Sequence, residues 1–126
     1  MNAAEMARTA YGQSRPSIRT DRSTEYDVFA RITHNLKAAI ERGKPGFTAL
    51  VQALHENRKL WTILAADVAG NDNALPEQLR AQIFYLAEFT DMQSRKILAG
   101  TADAAILVEI NTNIMRGLRS VRGLAA

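Results

Sequence analysis

The chain has 126 residues (13.9 kDa), is 47% hydrophobic and 23% charged, carries a formal net charge of +3, and contains three prolines and no cysteine. One domain of ordinary globular composition fits that length, and the missing cysteine excludes disulfide frameworks, Cys-ligated zinc, iron–sulfur clusters and thiol nucleophiles. No apolar run approaches the roughly 18 residues of a membrane span, and the start Met1-Asn2-Ala3-Ala4-Glu5 lacks the features of a secretory signal, so a cytoplasmic location is the expectation.

In chain order, the Ala-rich stretch through Gln13 suits a short helix, and residues 14–23, with Pro16 and several polar or basic neighbours, read as a loop; residues 1–22 together form an N-terminal arm that is helical in part or flexible. Over 24–42 apolar residues recur every three or four positions (Tyr26, Phe29, Ile32, Leu36, Ala39, Ile40), the spacing of a helix with one buried face. The pattern stops at the turn Gly43-Lys44-Pro45-Gly46. A second helix carries Phe47, Leu50, Leu54, Trp61, Leu64 and Val68 to Gly70, where a left-handed glycine is expected to close it. Pro76 suits the first turn of a third helix and Glu77 its positive end, with Leu79, Ile83, Leu86 and Ile97 on one face and Arg95 and Lys96 before Gly100. Thr101 is the expected cap of a last helix bearing Leu107, Ile110, Ile114, Leu118 and Val121. Little strand signal remains, so the fold class is all-α: a single domain over 1–126, four main helices as antiparallel neighbours in a small bundle.

Motifs with catalytic chemistry are absent. His55-Glu56 lacks the second histidine four residues on that a zinc-protease helix requires, since Lys59 stands there, and Gly43 to Gly46 has neither the spacing nor the Lys-Ser/Thr pair of a phosphate loop. Glu88 and Asp91 are one helical step apart, an arrangement that usually marks a solvated face. No enzymatic activity, cofactor or metal is expected. Three polar or amphipathic positions carry more information. Asn57 falls where the stripe calls for an apolar residue and reads as a buried register-setting amide; Asp67 sits in the last turn of its helix, where the dipole disfavours a carboxylate and a partner is needed; Trp61 is core or an interface anchor. Arginines crowd both ends of the chain, Arg8, Arg15, Arg19 and Arg22 at one and Arg116, Arg119 and Arg122 at the other, so contact with RNA phosphates is an alternative, although no aromatic is interleaved to stack bases.

The stretch His55-Glu56-Asn57-Arg58-Lys59-Leu60-Trp61-Thr62-Ile63-Leu64-Ala65-Ala66-Asp67-Val68-Ala69 resembles the central signature of the flagellar regulator family FlaF. The resemblance continues upstream in Glu25-Tyr26 and Phe29-Ala30-Arg31-Ile32-Thr33, and downstream in Leu75-Pro76, Leu79 to Gln82, Leu86 to Phe89, Glu109-Ile110-Asn111 and Ile114 to Leu118, so it covers nearly the whole chain. It implies a small cytoplasmic, non-enzymatic protein of alphaproteobacterial flagellum biogenesis. Such a protein would bind flagellin as a chaperone-like factor, promote flagellin synthesis or secretion, and work beside FlbT, a post-transcriptional regulator of flagellin mRNA.

A flagellin monomer exposes helix-forming termini, and helix-in-groove docking is the recognition mode that would cover them. The helix from Phe47 carries Val51, Leu60 and Ile63 off its main stripe, and the next carries Phe84, Tyr85, Phe89 and Met92; a helix apolar on more than one side is central in its bundle or covered by a partner. The expected partner-binding residues are Trp61, Asp67, Phe84, Tyr85, Phe89 and Met92, with Arg116, Arg119 and Arg122 as the basic patch of the RNA alternative.

Overall fold

The computed structural model describes residues 21–125, and their side chains over 26–120. Four helices follow one another: α1 (Asp21–Glu41), α2 (Phe47–Val68), α3 (Glu77–Leu98) and α4 (Ala105–Ala125), with a single 3₁₀ turn, Lys44–Gly46, between the first two. No strand occurs among the described residues, so the fold is all-α. The N-terminal arm expected over 1–22 lies outside the described residues, apart from Asp21 and Arg22. These two and Ser23 open α1 instead of continuing the loop expected over 14–23, because no proline or glycine after Pro16 interrupts the helix there.

Short connections make sequential helices antiparallel neighbours. The second helix is central: α2 lies against both α1 and α3, α4 returns to α1, and α3 meets α4 only sparsely. The predicted stripes supply the core. Phe29 and Leu36 of α1, Leu54, Trp61 and Leu64 of α2, Ile83 of α3, and Leu107, Ile114 and Leu118 of α4 are all buried, and the Trp61 and Phe29 rings meet edge to face at 5.6 Å. At the margins of this centre Phe47, in the first turn of α2, is 54% exposed, and Tyr26, Ile40, Leu50, Leu79 and Leu86 are half-buried.

The helix ends depart from expectation in three places. Gly70 is not left-handed; the positive-φ glycines are Gly43 and Gly100. After α2 the Asn73 side chain satisfies the free backbone groups instead: its Nδ2 lies 3.3 Å from the Asp67 carbonyl, and its Oδ1 accepts the Leu75 N–H at 3.0 Å. At the end of α3, Gly100 (φ 80°) donates to Ile97 and the Thr101 N–H to Lys96, the pair of bonds of a Schellman motif. The Thr101 hydroxyl donates to the same Lys96 carbonyl, so Thr101 finishes α3 rather than capping α4, whose start is set by Asp103 Oδ1 accepting the Ala105 N–H at 2.9 Å. Pro76 lies one residue ahead of α3, and its carbonyl accepts the Arg80 N–H. A Cβ at position 100 would meet nothing within 4 Å, so Gly100→Ala carries only the backbone penalty. A loss of about 1 kcal/mol in urea unfolding is expected.

Candidate partner-binding surface

The middle of the core is polar. Asn111 of α4 accepts the Trp61 Nε1–H through Oδ1 at 2.9 Å, and its Nδ2 donates to Asn57 Oδ1 of α2 at 2.8 Å and to Thr33 Oγ1 of α1 at 3.1 Å. The Thr33 hydroxyl in turn donates to the Phe29 carbonyl at 2.7 Å. Asn57 and Asn111 are completely buried and Thr33 nearly so. One amide therefore ties three helices together at a fixed level, since sliding any of them would strand a buried donor or acceptor. Asn57 is the buried amide the sequence pattern called for. Asn111 and Thr33 were missed; the sign was that Asn111 interrupts the stripe of Leu107, Ile110 and Ile114, as Asn57 interrupts that of α2.

This network decides the place of Trp61. With 1% exposure, its ring on Phe29 and its N–H on Asn111, Trp61 is core in this fold and presents no surface to a partner. Of the off-stripe apolar residues of α2, Leu60, at 6% exposure, is likewise inside and Ile63 is half-buried, whereas Val51 is 39% exposed. Asp67 is half-buried at the end of α2, with the Asn73 amide 3.3 Å from its carboxylate.

The third helix keeps its expected stripe on the inner side and adds two small polar residues to it. Its fully buried positions are Ile83, Thr90 and Ser94, with Ile97 nearly so, whereas Leu79 and Leu86 are only half-buried. Ser94 returns its hydroxyl to the Thr90 carbonyl at 2.7 Å, and the Thr90 hydroxyl has no partner. Small polar side chains inward let α3 approach α2 closely. The bulky apolar ones point out: Phe84 is 47%, Tyr85 67% and Met92 48% exposed, and Phe89 is half-buried beside them. Positions 84, 85, 88 and 92 share one helical face, so the patch is a row of three apolar side chains with exposed Glu88 among them. Thr90→Val removes the unpaired hydroxyl at constant shape and is expected to raise stability by ~1 kcal/mol in urea unfolding.

Beside the row, Asp91 accepts from Arg58 of α2 at 2.8 Å and pairs with Arg95 one turn on at 2.8 Å. All three are partly exposed, so the cluster fixes the α2–α3 register more than it stabilises. Asp91 is thus engaged with its own fold, and Glu88 stands apart from it on the exposed face. His34 and His55 are exposed, and among the described residues no group of three or more His, Asp or Glu could hold a metal. A cleft of about 300 Å³ between α1 and α2 is lined mostly by Ala and short polar side chains, and Gln52 donates to Glu56 at its edge. At the basic patch, Arg116 donates to Asn113 at 3.2 Å and Arg119 lies 6.0 Å from the Tyr26 ring centre; the Arg122 side chain lies outside the described residues. No helix among the described residues is long and apolar enough to cross a membrane.

The profile of the flagellar protein FlaF family matches residues 7–118, nearly nine-tenths of the chain and all of α1, α2 and α3. The chain belongs to the FlaF family. No curated protein and no solved structure matches it. The FlaF-like signature over 55–69 coincides with the C-terminal two-thirds of α2, and its most buried members, Asn57, Trp61 and Leu64, are the residues that the network and core hold in place. In this FlaF protein the signature is therefore mainly a description of how α2 is seated, while most of the exposed large apolar side chains lie on α3 and those of α2, Phe47 and Val51, precede the signature.

Proposed function

We propose that this FlaF protein acts in flagellum biogenesis as a cytoplasmic, non-catalytic, flagellin-binding factor that keeps flagellin monomers competent for secretion. The observation that carries this reading is the outward apolar row of α3, Phe84, Tyr85 and Met92, flanked by half-buried Phe89, on a chain whose family is a flagellar one. A helix that turns Thr90 and Ser94 inward and three large apolar side chains outward is patterned for a second helix on its outer side. Flagellin termini, helical and apolar on one face, are the partner such a surface suits. The RNA alternative draws less support, because Arg116 and Arg119 are engaged with Asn113 and Tyr26. A role as an adaptor for FlbT would use the same α3 row.

Size-exclusion chromatography with light scattering on the protein mixed with monomeric flagellin, at low and moderate salt, tests the reading. A stoichiometric complex that survives the salt step is expected, since burial of apolar surface is not screened. Flagellin eluting alone while a flagellin mRNA leader shifts, with affinity falling steeply in salt, would replace it with the RNA reading. Binding to FlbT alone would replace it with the adaptor reading.

A further inference from the structure

The outer face of α3 is complementary to itself. Phe84, Glu88, Asp91, Arg95 and Leu98 follow one another at spacings of four, three, four and three residues, so they form one line along the helix, with Tyr85 and Met92 beside it. About Asp91 this line is symmetric in bulk and antisymmetric in charge. Phe84 and Leu98 stand seven residues to either side, both exposed; Glu88 is three residues before and Arg95 four after, the first exposed and the second with 70% of its side chain in solvent. The remaining exposed charges follow the same division, with Glu77 ahead of Asp91 and Lys96 behind it. Asp91 itself holds two guanidiniums, those of Arg58 and Arg95, each at 2.8 Å, and Glu88 forms no ion pair among the described residues.

A pattern with acids first and bases last along one helix is matched by the same helix reversed. A parallel pair of copies would set Glu88 against Glu88 and Arg95 against Arg95. A two-fold axis passing beside Asp91 and Met92 instead sets Glu88 against the partner's Arg95 and Phe84 against the partner's Leu98, each twice, and Met92 against its own copy. The contact extends onto α2. Val51 lies seven residues before Arg58, and Leu98 seven after Asp91; the helices are antiparallel and joined by the Arg58–Asp91 pair, so Val51 and Leu98 stand at one level, with Phe47 a turn further along. They offer the partner's Phe84 an apolar seat. All the large exposed apolar side chains among the described residues, Phe47, Val51, Phe84, Tyr85, Met92 and Leu98, belong to these two helices. We infer that two copies of the chain associate through the outer face of α3, antiparallel about an axis at Asp91 and Met92, with Glu88 of each on Arg95 of the other. The face is the one proposed for flagellin, but the inference does not rest on that reading.

Sedimentation velocity on the full chain alone, from micromolar to near-millimolar concentration, tests it, and a reversible dimer is expected. With Glu88→Arg cation meets cation across the axis, and with Arg95→Glu anion meets anion, so either variant by itself should self-associate about tenfold more weakly or worse. An equimolar mixture of the two should recover a heterodimer as tight as the original dimer, and the chain carrying both changes a homodimer. Recovery of this kind requires both variants to be folded, which circular dichroism checks directly. Three results would overturn the inference: a monomer at every concentration; a dimer indifferent to both reversals; or a dimer weakened by each reversal and not recovered in the mixture. Adding flagellin separates this inference from the proposed function. If flagellin joins the dimer without dissociating it, the contact between copies stands and flagellin sits elsewhere on the protein. If the chain is a monomer and binds flagellin through Phe84 and Met92, the proposed function stands and the dimer is lost.

Discussion

Trp61→Ala is expected to lower stability by about 3–5 kcal/mol, enough to leave much of the protein unfolded at ambient temperature. The ring is 1% exposed, sits edge-on against Phe29, and fills the space between α1, α2 and α4 where the most buried side chains meet. Truncation opens a cavity there and also strands Asn111 Oδ1, which accepts the indole N–H and has no second partner given by the network. Trp61→Phe separates the two contributions: it keeps most of the volume and loses the N–H, so a cost of ~1–2 kcal/mol is expected, that of one buried acceptor left unpaired. Urea unfolding followed by circular dichroism measures both, since the chain has a single tryptophan and fluorescence disappears with it. A loss below about 1 kcal/mol for Trp61→Ala would show that the ring is not part of the core and would reopen its role as a surface anchor.

Phe84→Ser combined with Met92→Ser is expected to weaken flagellin binding at least about 30-fold while changing stability by no more than roughly 0.5 kcal/mol. The first number follows from the ~2 kcal/mol or more that a central anchor residue contributes to an interface. The second follows from exposure, since these side chains are about half exposed, on the face of α3 opposite Ile83, Thr90 and Ser94, and surface substitutions seldom move stability further. The pair of readouts is what matters. If binding and helicity fall together, Phe84 and Met92 contribute to folding and the docking row is misplaced. If binding is unchanged and the fold intact, flagellin is held elsewhere, and the half-buried Phe89 is the next position to replace.

Helix content and most of the core were legible from periodicity alone. The stripes of α1 and α4 named Phe29, Ile32, Leu36, Leu107, Ile114 and Leu118, all of them buried, because a helix with one packed face repeats its apolar residues at the helical period whatever it packs against. Asn57 was legible for the same reason in reverse, as a polar residue on an apolar stripe. Asn111 gave the same sign and went unread in a helix whose pattern was otherwise clear. Helix ends were less legible: Gly70 and Gly100 each follow an alanine at the end of a helix, yet only Gly100 takes the left-handed conformation, and after α2 the Asn73 side chain reaches back to the Asp67 carbonyl instead.

The outward row of α3 divides the two kinds of knowledge. By itself the sequence determined that this helix is apolar on more than one side, carrying Leu79, Ile83, Leu86 and Ile97 as well as Phe84, Tyr85, Phe89 and Met92, and that the chain is a four-helix protein of the FlaF pattern. Which apolar side faces inward was decided only in the tertiary structure. A single helix cannot specify this, because burial depends on the space its neighbours leave: beside α2, where Trp61 and Leu60 are already buried, α3 turns inward Ile83 and Ile97 with the small Thr90 and Ser94 between them, and α4, which meets α3 only sparsely, leaves the opposite face uncovered. The bulky side chains are therefore turned to solvent, where a partner can reach them.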